Sequence, residues 1–295
     1  MEAQRPQLAG LGAIPLSSLN FTRITHLLTP TDLADKVVVQ VGVGSGGAPV
    51  CDHLSMNGVR RWILFDPDTL DDLNLVKHPR CRADLGRLKV EIQRDWIMDR
   101  NPEAQVAIHP LDVFSAEAFP RAVQESSLVL CCADKKEVRH FVNAVSREHR
   151  KPCVTASVFR QGFGGEVYVY LPGQTGCFAC MDRAAEEQGI NIGESIAWLP
   201  DEEQQVYGMN IRDYRASGLS IDIQALSLLQ ARMALSLLTA TSDRPVVAPK
   251  ANWLIYYNRP VLGLSTSGFN KLVGLRIKPR KDCACAEVAI SKSAR

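Results

Sequence analysis

The sequence predicts an α/β fold: a Rossmann-like, doubly wound, mostly parallel sheet with a C-terminal antiparallel extension and a long crossover loop. Three observations predict it. Short apolar runs rich in β-branched residues alternate with helical segments, a glycine-rich turn follows the first run, and a long polar stretch later interrupts the alternation. Strands that alternate with helices form right-handed βαβ units and therefore a parallel sheet.

The predicted elements follow one another along the chain. A helical lead-in covers 1–35, a single domain covers 36–286, and a flexible tail covers 287–295. The predicted strands cover 37–43, 62–66, 106–109, 127–132, 153–157 and 166–171, with two more between 250 and 280. The predicted helices cover 47–57, 85–100, 136–149 and 218–240. The stretch 182–217 is polar and weakly periodic, so it is predicted to be the crossover loop, and loops of this length are usually functional or disordered.

Composition and charge exclude several classes of protein. The 295 residues include 46% apolar and 22% charged residues, with a net charge of +2, which does not indicate a general nucleic-acid-binding protein. No window of about 18 uninterrupted apolar residues indicates a membrane span, and the N-terminus does not resemble a secretory signal. The nine cysteines are an odd number, which favours a reducing compartment. We therefore expect a cytoplasmic protein with no nucleic-acid or membrane partner.

A glycine-rich turn predicts a nucleotide site. Residues 42–47 read GVGSGG and match G-x-G-x-x-G at Gly42, Gly44 and Gly47. Such glycines permit a tight turn and let a phosphate approach the backbone N–H groups at a helix N-terminus. Asp66 ends the next predicted strand, where a carboxylate reaches a ribose hydroxyl. NAD is the usual ligand of this fingerprint, and a turn packed for structural reasons is the alternative.

The polar residues beyond Asp66 favour ATP over NAD. Lys77 and Lys89 can offset the charge of a triphosphate, and Asn74 can donate to a phosphate oxygen, whereas hydride transfer needs none of these groups. Asp134 follows a buried strand at the ligand-binding edge of the sheet, where it could hold Mg²⁺ or cap the next helix. Taken singly, the lysines and Asn74 could each be solvated surface residues. Their joint order favours a functional site.

Several segments together resemble the ThiF/MoeB superfamily, which includes the ubiquitin-activating enzymes. They lie between residues 37 and 181 and read VGVGSGG, FDPDTLDDLNLVKH, LGRLKVE, CCADKKEVR, and GFGGEVYVY before CFAC. The segments DPDTLDDLNL and RQGFGGEV are most similar to bacterial activating enzymes found with conjugating-enzyme-like and JAB-type peptidase partners. Some of those systems serve antiphage defence.

The resemblance implies an enzyme that uses ATP and Mg²⁺ to adenylate the C-terminal glycine carboxylate of a ubiquitin-like protein. By motif position, Asp66 would hold the ribose, Asn74 and Lys89 the phosphates, and Asp134 the Mg²⁺. The implied catalytic residues are Lys77, Lys89 and Asp134. The resemblance also implies a homodimer and a conjugating-enzyme-like protein that receives the activated partner.

Two positions depart from the family pattern. Lys77 stands where the family usually has arginine, and it keeps the charge but loses bidentate contact with a phosphate. His78 stands where the family commonly has glutamine. In addition, residues 181–220 contain no cysteine, although related enzymes often carry a thioester in this loop. The sequence therefore leaves open whether the reaction stops at the adenylate.

Two cysteine pairs predict a structural metal site. Cys177 and Cys180 form a C-x-x-C pair, and Cys283 and Cys285 form a C-x-C pair. Four thiolates are soft ligands that suit one closed, tetrahedral Zn²⁺ site. Unbound thiols or a redox pair are the alternatives. Of the remaining cysteines, four are predicted to lie in the core: Cys51, Cys131, Cys132 and Cys153. Cys81 is predicted to lie at the surface.

Three other functions compete with ubiquitin-like activation. The first is a sulfur-carrier adenylyltransferase of the thiamine or molybdopterin type. The second is an NAD-dependent oxidoreductase, which would need neither Lys89 nor Asp134. The third is a scaffold that keeps the adenylation fold without catalysis.

Overall fold

One eight-stranded sheet organises the chain. The computed structural model describes residues 19–159, 162, 164–187, 218–258 and 270–286, together with the backbone of 205–206 and 209–210. The strands of this sheet are β1 (Val37–Val41), β2 (Arg61–Phe65), β3 (Gln105–His109), β4 (Leu128–Cys131), β5 (Cys153–Val158), β6 (Gly164–Tyr170), β9 (Trp253–Tyr257) and β10 (Lys271–Leu275). Between them in sequence, β7 (Gln205–Val206) and β8 (Met209–Asn210) pair with each other.

The helices fill the connections. They are α1 (Gly47–Met56), α2 (Lys89–Arg100), α3 (Ala118–Glu125), α4 (Lys136–Glu148), α5 (Phe178–Glu187) and α6 (Ser220–Leu238). A short 3₁₀ helix at Pro30–Leu33 precedes β1. Within the described residues 19–35 of the predicted helical lead-in, this 3₁₀ helix is the helical segment.

The strand order confirms the predicted fold class. Across the sheet the strands run β10-β9-β6-β5-β4-β1-β2-β3. Pairing is parallel from β3 to β5 and antiparallel from β5 through β6 and β9 to β10. The chain winds outward in both directions from β1, so the order reverses between β1 and β4. In open α/β sheets this reversal leaves a crevice at the carboxyl ends of the strands.

Helices cover both faces of the sheet. On one face, α3, α4 and α5 bury side chains such as Phe119, Val142 and Phe178 in a cluster with β1 and β4. On the other face, α1, α2 and α6 form a second cluster that contains Leu54 and Leu235. The parallel strands other than the edge strand β3 are therefore largely buried on both sides, which explains why they read as continuous apolar runs rather than as alternating patterns.

The apolar character of α6 is explained by core packing. The helix is long and apolar enough to cross a membrane by length and composition, but it packs against α1 and β5. Leu226, Ala234 and Leu238 are buried there, whereas Ile221 and Leu228 remain exposed. A helix that is apolar around most of its circumference is expected in such a buried position.

The predicted start of α2 was wrong by one turn. Residues 86–89 pair with 68–70 instead: Leu70 N–H donates to Arg87 O (2.9 Å) and Gly86 N–H donates to Leu70 O (2.8 Å). Gly86 has a φ of +81°, which ends the helical path and suits glycine. As a result, α2 begins at Lys89.

The predicted crossover loop was also wrong at its beginning. Residues 182–187 belong to α5, because Phe178, Met181 and Ala185 recur at helical spacing and bury one face. Similarly, α3 lies in a segment for which no element was predicted, although Phe119 and Val123 show the same pattern. Most of the remaining predicted loop, residues 1–18 of the lead-in and the tail 287–295 lie outside the described residues.

Candidate active site

A cleft of about 650 Å³ lies at the carboxyl ends of the parallel strands. Its wall is built by the segments that follow β1, β2, β4 and β5, together with α6. The fold therefore gathers most of the predicted site residues in one place. Those that line the cleft are Gly42, Gly44, Asp66, Asn74, Lys77, Lys89 and Asp134.

The three glycines of the turn differ in what surrounds them. Gly42 has a φ of +90°, and a Cβ there would lie 3.0 Å from the Cys132 carbonyl. A Cβ on Gly47 would lie 2.1 Å from the carbonyl oxygen of Gly42, so this glycine lets α1 pack onto the turn. Gly44 has open space on its Cβ side. Gly42 and Gly47 thus shape the turn, and Gly44 leaves room for a ligand. Gly47 does not itself line the cleft.

Two buried side chains bind the carbonyl groups of the turn. Gln40, on β1, donates from Nε2 to Gly42 O and Gly47 O, both at 2.9 Å. Ser227, on α6, donates from Oγ to Gly46 O at 2.7 Å. Carbonyl oxygens of the turn that would repel an anion are therefore engaged in hydrogen bonds. This arrangement preorganises the turn for a phosphate.

Asp66 joins the turn to the end of β2. Its Oδ2 accepts from Val43 N–H at 2.6 Å and its Oδ1 accepts from Asp68 N–H at 2.9 Å. Burial raises the pKa of Asp66, although these two amide bonds act in the opposite direction. A carboxylate has about four acceptor positions, so Asp66 retains capacity for a ligand hydroxyl.

Lys89 occupies an electrostatically unfavourable position. As the first residue of α2, it places a cation at the positive end of the helix dipole. Its side chain is 10% exposed, and its Nζ lies 2.9 Å from Oδ2 of Asp68, whose side chain is 63% exposed. An anion entering the cleft can replace this solvated carboxylate as the partner of Lys89.

Asn74 and Lys77 are held by a short 3₁₀ helix after β2. The Asp71 carboxylate caps this helix by accepting from Asn74 N–H at 2.9 Å. Asn74 Oδ1 is buried and has no hydrogen-bond partner within the described ranges. A buried polar atom left in this state costs about 1–3 kcal/mol, and because Oδ1 is an acceptor, only a group that donates a hydrogen bond would satisfy it.

Asp134 lies on a loop that a cation fixes in place. Arg139, on α4, donates from Nε to Ala133 O (3.0 Å) and from Nη2 to Asp134 O (2.6 Å). The Asp134 carboxylate is exposed at the cleft. The N-cap of α4 is Lys135, so the alternative that Asp134 caps this helix is wrong.

Sequence reasoning missed two parts of this cleft. Lys135 and Arg139 line it and add two cations to Lys77 and Lys89, although both lie within the CCADKKEVR segment already noted. An apolar part of the wall is formed by Phe65, Leu111, Val113 and Val138. A flat base can pack against such a surface. The signal for Leu111 and Val113 was their position just after β3, at the same edge of the sheet.

The four paired cysteines converge at a separate place. All four Sγ atoms lie within 4.8 Å of one another. The Cys177–Cys283 and Cys180–Cys285 sulfur distances are both 3.5 Å, and the Cys177–Cys180 distance is 3.9 Å. Tetrahedral Zn²⁺ with bonds of about 2.3 Å places its sulfur ligands about 3.8 Å apart. The geometry therefore fits a closed four-thiolate metal site between α5 and residues 283–285.

The other five cysteines lie where they were predicted, in the core or at the surface, except that Cys132 is partly exposed. Cys51, Cys131 and Cys153 are buried, Cys132 is partly buried, and Cys81 is exposed.

Comparisons with solved structures place the fold. Escherichia coli MccB with ATP has a TM-score of 0.65 and 18% identity, with 87% of this chain and 68% of that chain covered. MccB in complex with N-formylated MccA gives a TM-score of 0.66 and 19% identity, with 87% and 69% covered. At this identity the likeness shows a shared fold.

Sequence comparisons give the family. Ubiquitin-like modifier-activating enzyme 5 of Caenorhabditis elegans is 29% identical over 169 residues, which covers 54% of this chain and 40% of that protein. The enzyme of the same name from Drosophila simulans is 31% identical over 172 residues, covering 54% and 42%. The chain thus spans about two fifths of the length of these relatives. The ThiF family model matches residues 19–259. The chain therefore belongs to the ThiF family.

Proposed function

We propose that this chain is an ATP-dependent adenylyltransferase that activates the C-terminal glycine carboxylate of a ubiquitin-like protein. One observation carries the proposal: in a ThiF-family fold, a single cleft gathers a phosphate-type glycine turn, Asp66, Lys89 and Asp134. The relatives named as ubiquitin-like modifier-activating enzymes support the class of partner. The MccB structure with ATP supports the nucleotide.

The residues of the cleft fit ATP and Mg²⁺. Four cations line a space that the glycine turn leaves open: Lys77, Lys89, Lys135 and Arg139. Asp134 supplies an exposed carboxylate at the same edge, and Mg²⁺ commonly binds one or two carboxylates together with phosphate oxygens. When bound, Mg²⁺ would neutralise part of the phosphate charge. An NAD site needs no such concentration of cations.

The proposed reaction uses these residues for positioning and charge stabilisation. Asp66 accepts a hydrogen bond from the ribose, while the turn and Lys89 hold the phosphates. A carboxylate oxygen of the partner's C-terminus forms a bond to the α-phosphorus, and the bond from that phosphorus to the bridging oxygen of the β-phosphate breaks. Pyrophosphate leaves with this oxygen, giving the acyl adenylate. Lys77 and Lys89 stabilise the negative charge that develops on the phosphates.

The wider context is part of the proposal. The activated partner would pass to a conjugating-enzyme-like protein in a bacterial, antiphage-type pathway, and the enzyme would act in the cytoplasm as a homodimer. The four cysteines would hold structural Zn²⁺. Adenylation of a sulfur carrier is the second candidate because it shares the first step, although the nucleophilic cysteine that a sulfur-transfer route favours in this loop is absent from 181–220.

ATP–pyrophosphate exchange tests the proposed function. Purified chain is incubated with ATP, labelled pyrophosphate and candidate ubiquitin-like proteins, with and without their terminal glycine. We expect exchange only with the intact C-terminus, and its loss in Asp134→Ala. Exchange supported only by a sulfur carrier would favour the second candidate. No exchange with any candidate, together with measurable NAD binding, would contradict both.

A matched pair of glycine substitutions separates ligand contact from folding. Gly44→Ala adds a methyl group in open space, so we expect a melting temperature near that of the wild type and ATP affinity lowered about tenfold or more. Gly47→Ala places the methyl group against Gly42 O, so we expect a loss of about 1–3 kcal/mol in the free energy of unfolding. Calorimetric ATP titration and thermal denaturation measure the two effects. Equal ATP affinity in Gly44→Ala and the wild type would contradict the assigned phosphate position.

A further inference from the structure

His78 lies behind the glycine turn rather than in the cleft, and it is 6% exposed. Its Nδ1 accepts from the backbone N–H of Arg80 at 3.2 Å, and its Nε2 lies 3.1 Å from Val43 O. A backbone N–H can only donate, so Nδ1 carries no proton in this arrangement. The proton is therefore on Nε2, which donates to Val43 O. The hydrogen bond from Arg80 requires an unprotonated Nδ1 and therefore the neutral imidazole, whereas Nε2–H can donate to Val43 O in either protonation state.

The residue that His78 binds is central to the turn. Val43 lies between Gly42 and Gly44, its N–H donates to the Asp66 carboxylate, and its side chain is buried. The two peptide groups flanking Val43 are thus held from opposite sides, by Asp66 and by His78. A shift of this residue would move both the phosphate turn and the carboxylate proposed to hold the ribose.

The partner of Nδ1 is not free to move. Arg80 makes a buried, bidentate ion pair with Asp52 on α1, at 3.0 and 2.5 Å. Its Nη2 also donates to Gln93 Oε1 on α2 at 2.7 Å, and its guanidinium stacks on Trp96. The backbone N–H of Arg80 is therefore fixed against His78. A second proton on the imidazole would face this N–H, donor against donor.

The charges around His78 also oppose protonation. Burial lowers the pKa of His78 below its ordinary value, and the neighbouring cations of Arg80 and Lys89 act in the same direction. The hydrogen bond to Val43 and the charge of Asp52 raise the pKa, but Asp52 is already engaged by Arg80. Asp66 lies on the other side of Val43. The imidazole is therefore neutral at neutral pH.

We propose that His78 is a positioning residue that holds the glycine turn in its nucleotide-receiving form only as the neutral imidazole, so that acidification weakens ATP binding. The inference rests on the proposed function, specifically on ATP binding in the cleft. Because the pKa of His78 in the folded chain lies below about 6.5, this contribution is complete above that pH. It is lost as the pH falls through the lower, folded-state pKa.

The test compares the pH dependence of ATP affinity in three proteins. Glutamine offers one donor and one acceptor but does not titrate, so His78→Gln can keep both hydrogen bonds at every pH. His26→Gln, at an exposed position, is the matched control. ATP affinity is measured by calorimetry at about pH 7.5 and about pH 5, and the ratio of the two affinities is compared. Protonation of ATP and of Asp66 changes this ratio equally in all three proteins, so a difference between their ratios reports on His78.

We expect acidification to weaken ATP binding several-fold more in the wild type and in His26→Gln than in His78→Gln. Nitrogen NMR of the wild type should show the Nε2–H tautomer and a pKa below the ordinary histidine value. The same affinity ratio in all three proteins, or an Nδ1–H tautomer, would overturn the inference while leaving the proposed function intact. No ATP binding by the wild type at about pH 7.5 would instead contradict the proposed function, and the inference would fall with it.

Discussion

Replacing Lys89 by methionine is expected to lower the rate of ATP–pyrophosphate exchange by about 10²–10³-fold. The substitution removes a cation from the N-terminus of α2 and from the wall of the cleft, but it keeps most of the buried stem. Asp68 is well solvated, so its lost ion pair should cost at most about 1 kcal/mol of stability. The effect should therefore appear in the exchange rate and hardly in the melting temperature.

Lys271→Met is the matched control for this prediction. Lys271 is exposed on the edge strand β10 and does not line the cleft, so its exchange rate should equal that of the wild type. A Lys89→Met protein that is folded and exchanges as fast as the control would show that Lys89 does not stabilise the phosphates.

Replacing Cys180 by serine is expected to abolish stoichiometric zinc and to destabilise the chain. Cys180 is buried and contacts sulfur atoms from both cysteine pairs. Loss of one thiolate opens a site that joins α5 to residues 283–285, and metal binding contributes directly to folding free energy. We expect the free energy of unfolding to fall by on the order of 5 kcal/mol. Elemental analysis and denaturant unfolding measure the two effects.

Cys81→Ser controls for the loss of a thiol alone. Cys81 is exposed and remote in sequence from both pairs, so this variant should retain one zinc ion per chain and wild-type stability. Zinc-free wild-type protein that is as stable as zinc-loaded protein would contradict a structural metal site.

The strands were predictable because their burial leaves a strong local signal. Runs such as Val37–Val41 are buried on both faces and are rich in β-branched residues, so the sheet could be read in order. The start of α2 could not be read in this way. Leu85 and Leu88 fit helical spacing, but residues 86–89 pair with 68–70, and this tertiary pairing overrides the local pattern.

The residues that line the cleft were more predictable than the residues that support it. Asp66 and Asp134 follow strands, and the carboxyl ends of parallel strands meet at one edge, so position alone indicated a site. Gln40 supports the turn from the preceding strand, whereas Ser227 and His78 reach it from segments distant in sequence, and Ser227 also lines the cleft. No local pattern distinguishes such residues from ordinary buried polar side chains.

The most direct test of the central claim follows the α-phosphate of ATP. The chain is incubated with Mg²⁺, a ubiquitin-like protein that supports exchange, and ATP labelled at the α-phosphorus. We predict that the label is found on the partner's C-terminus as an acyl adenylate, with release of unlabelled pyrophosphate. Labelled ADP and inorganic phosphate, with no label on the partner, would show cleavage at the γ-phosphate and would contradict adenylation.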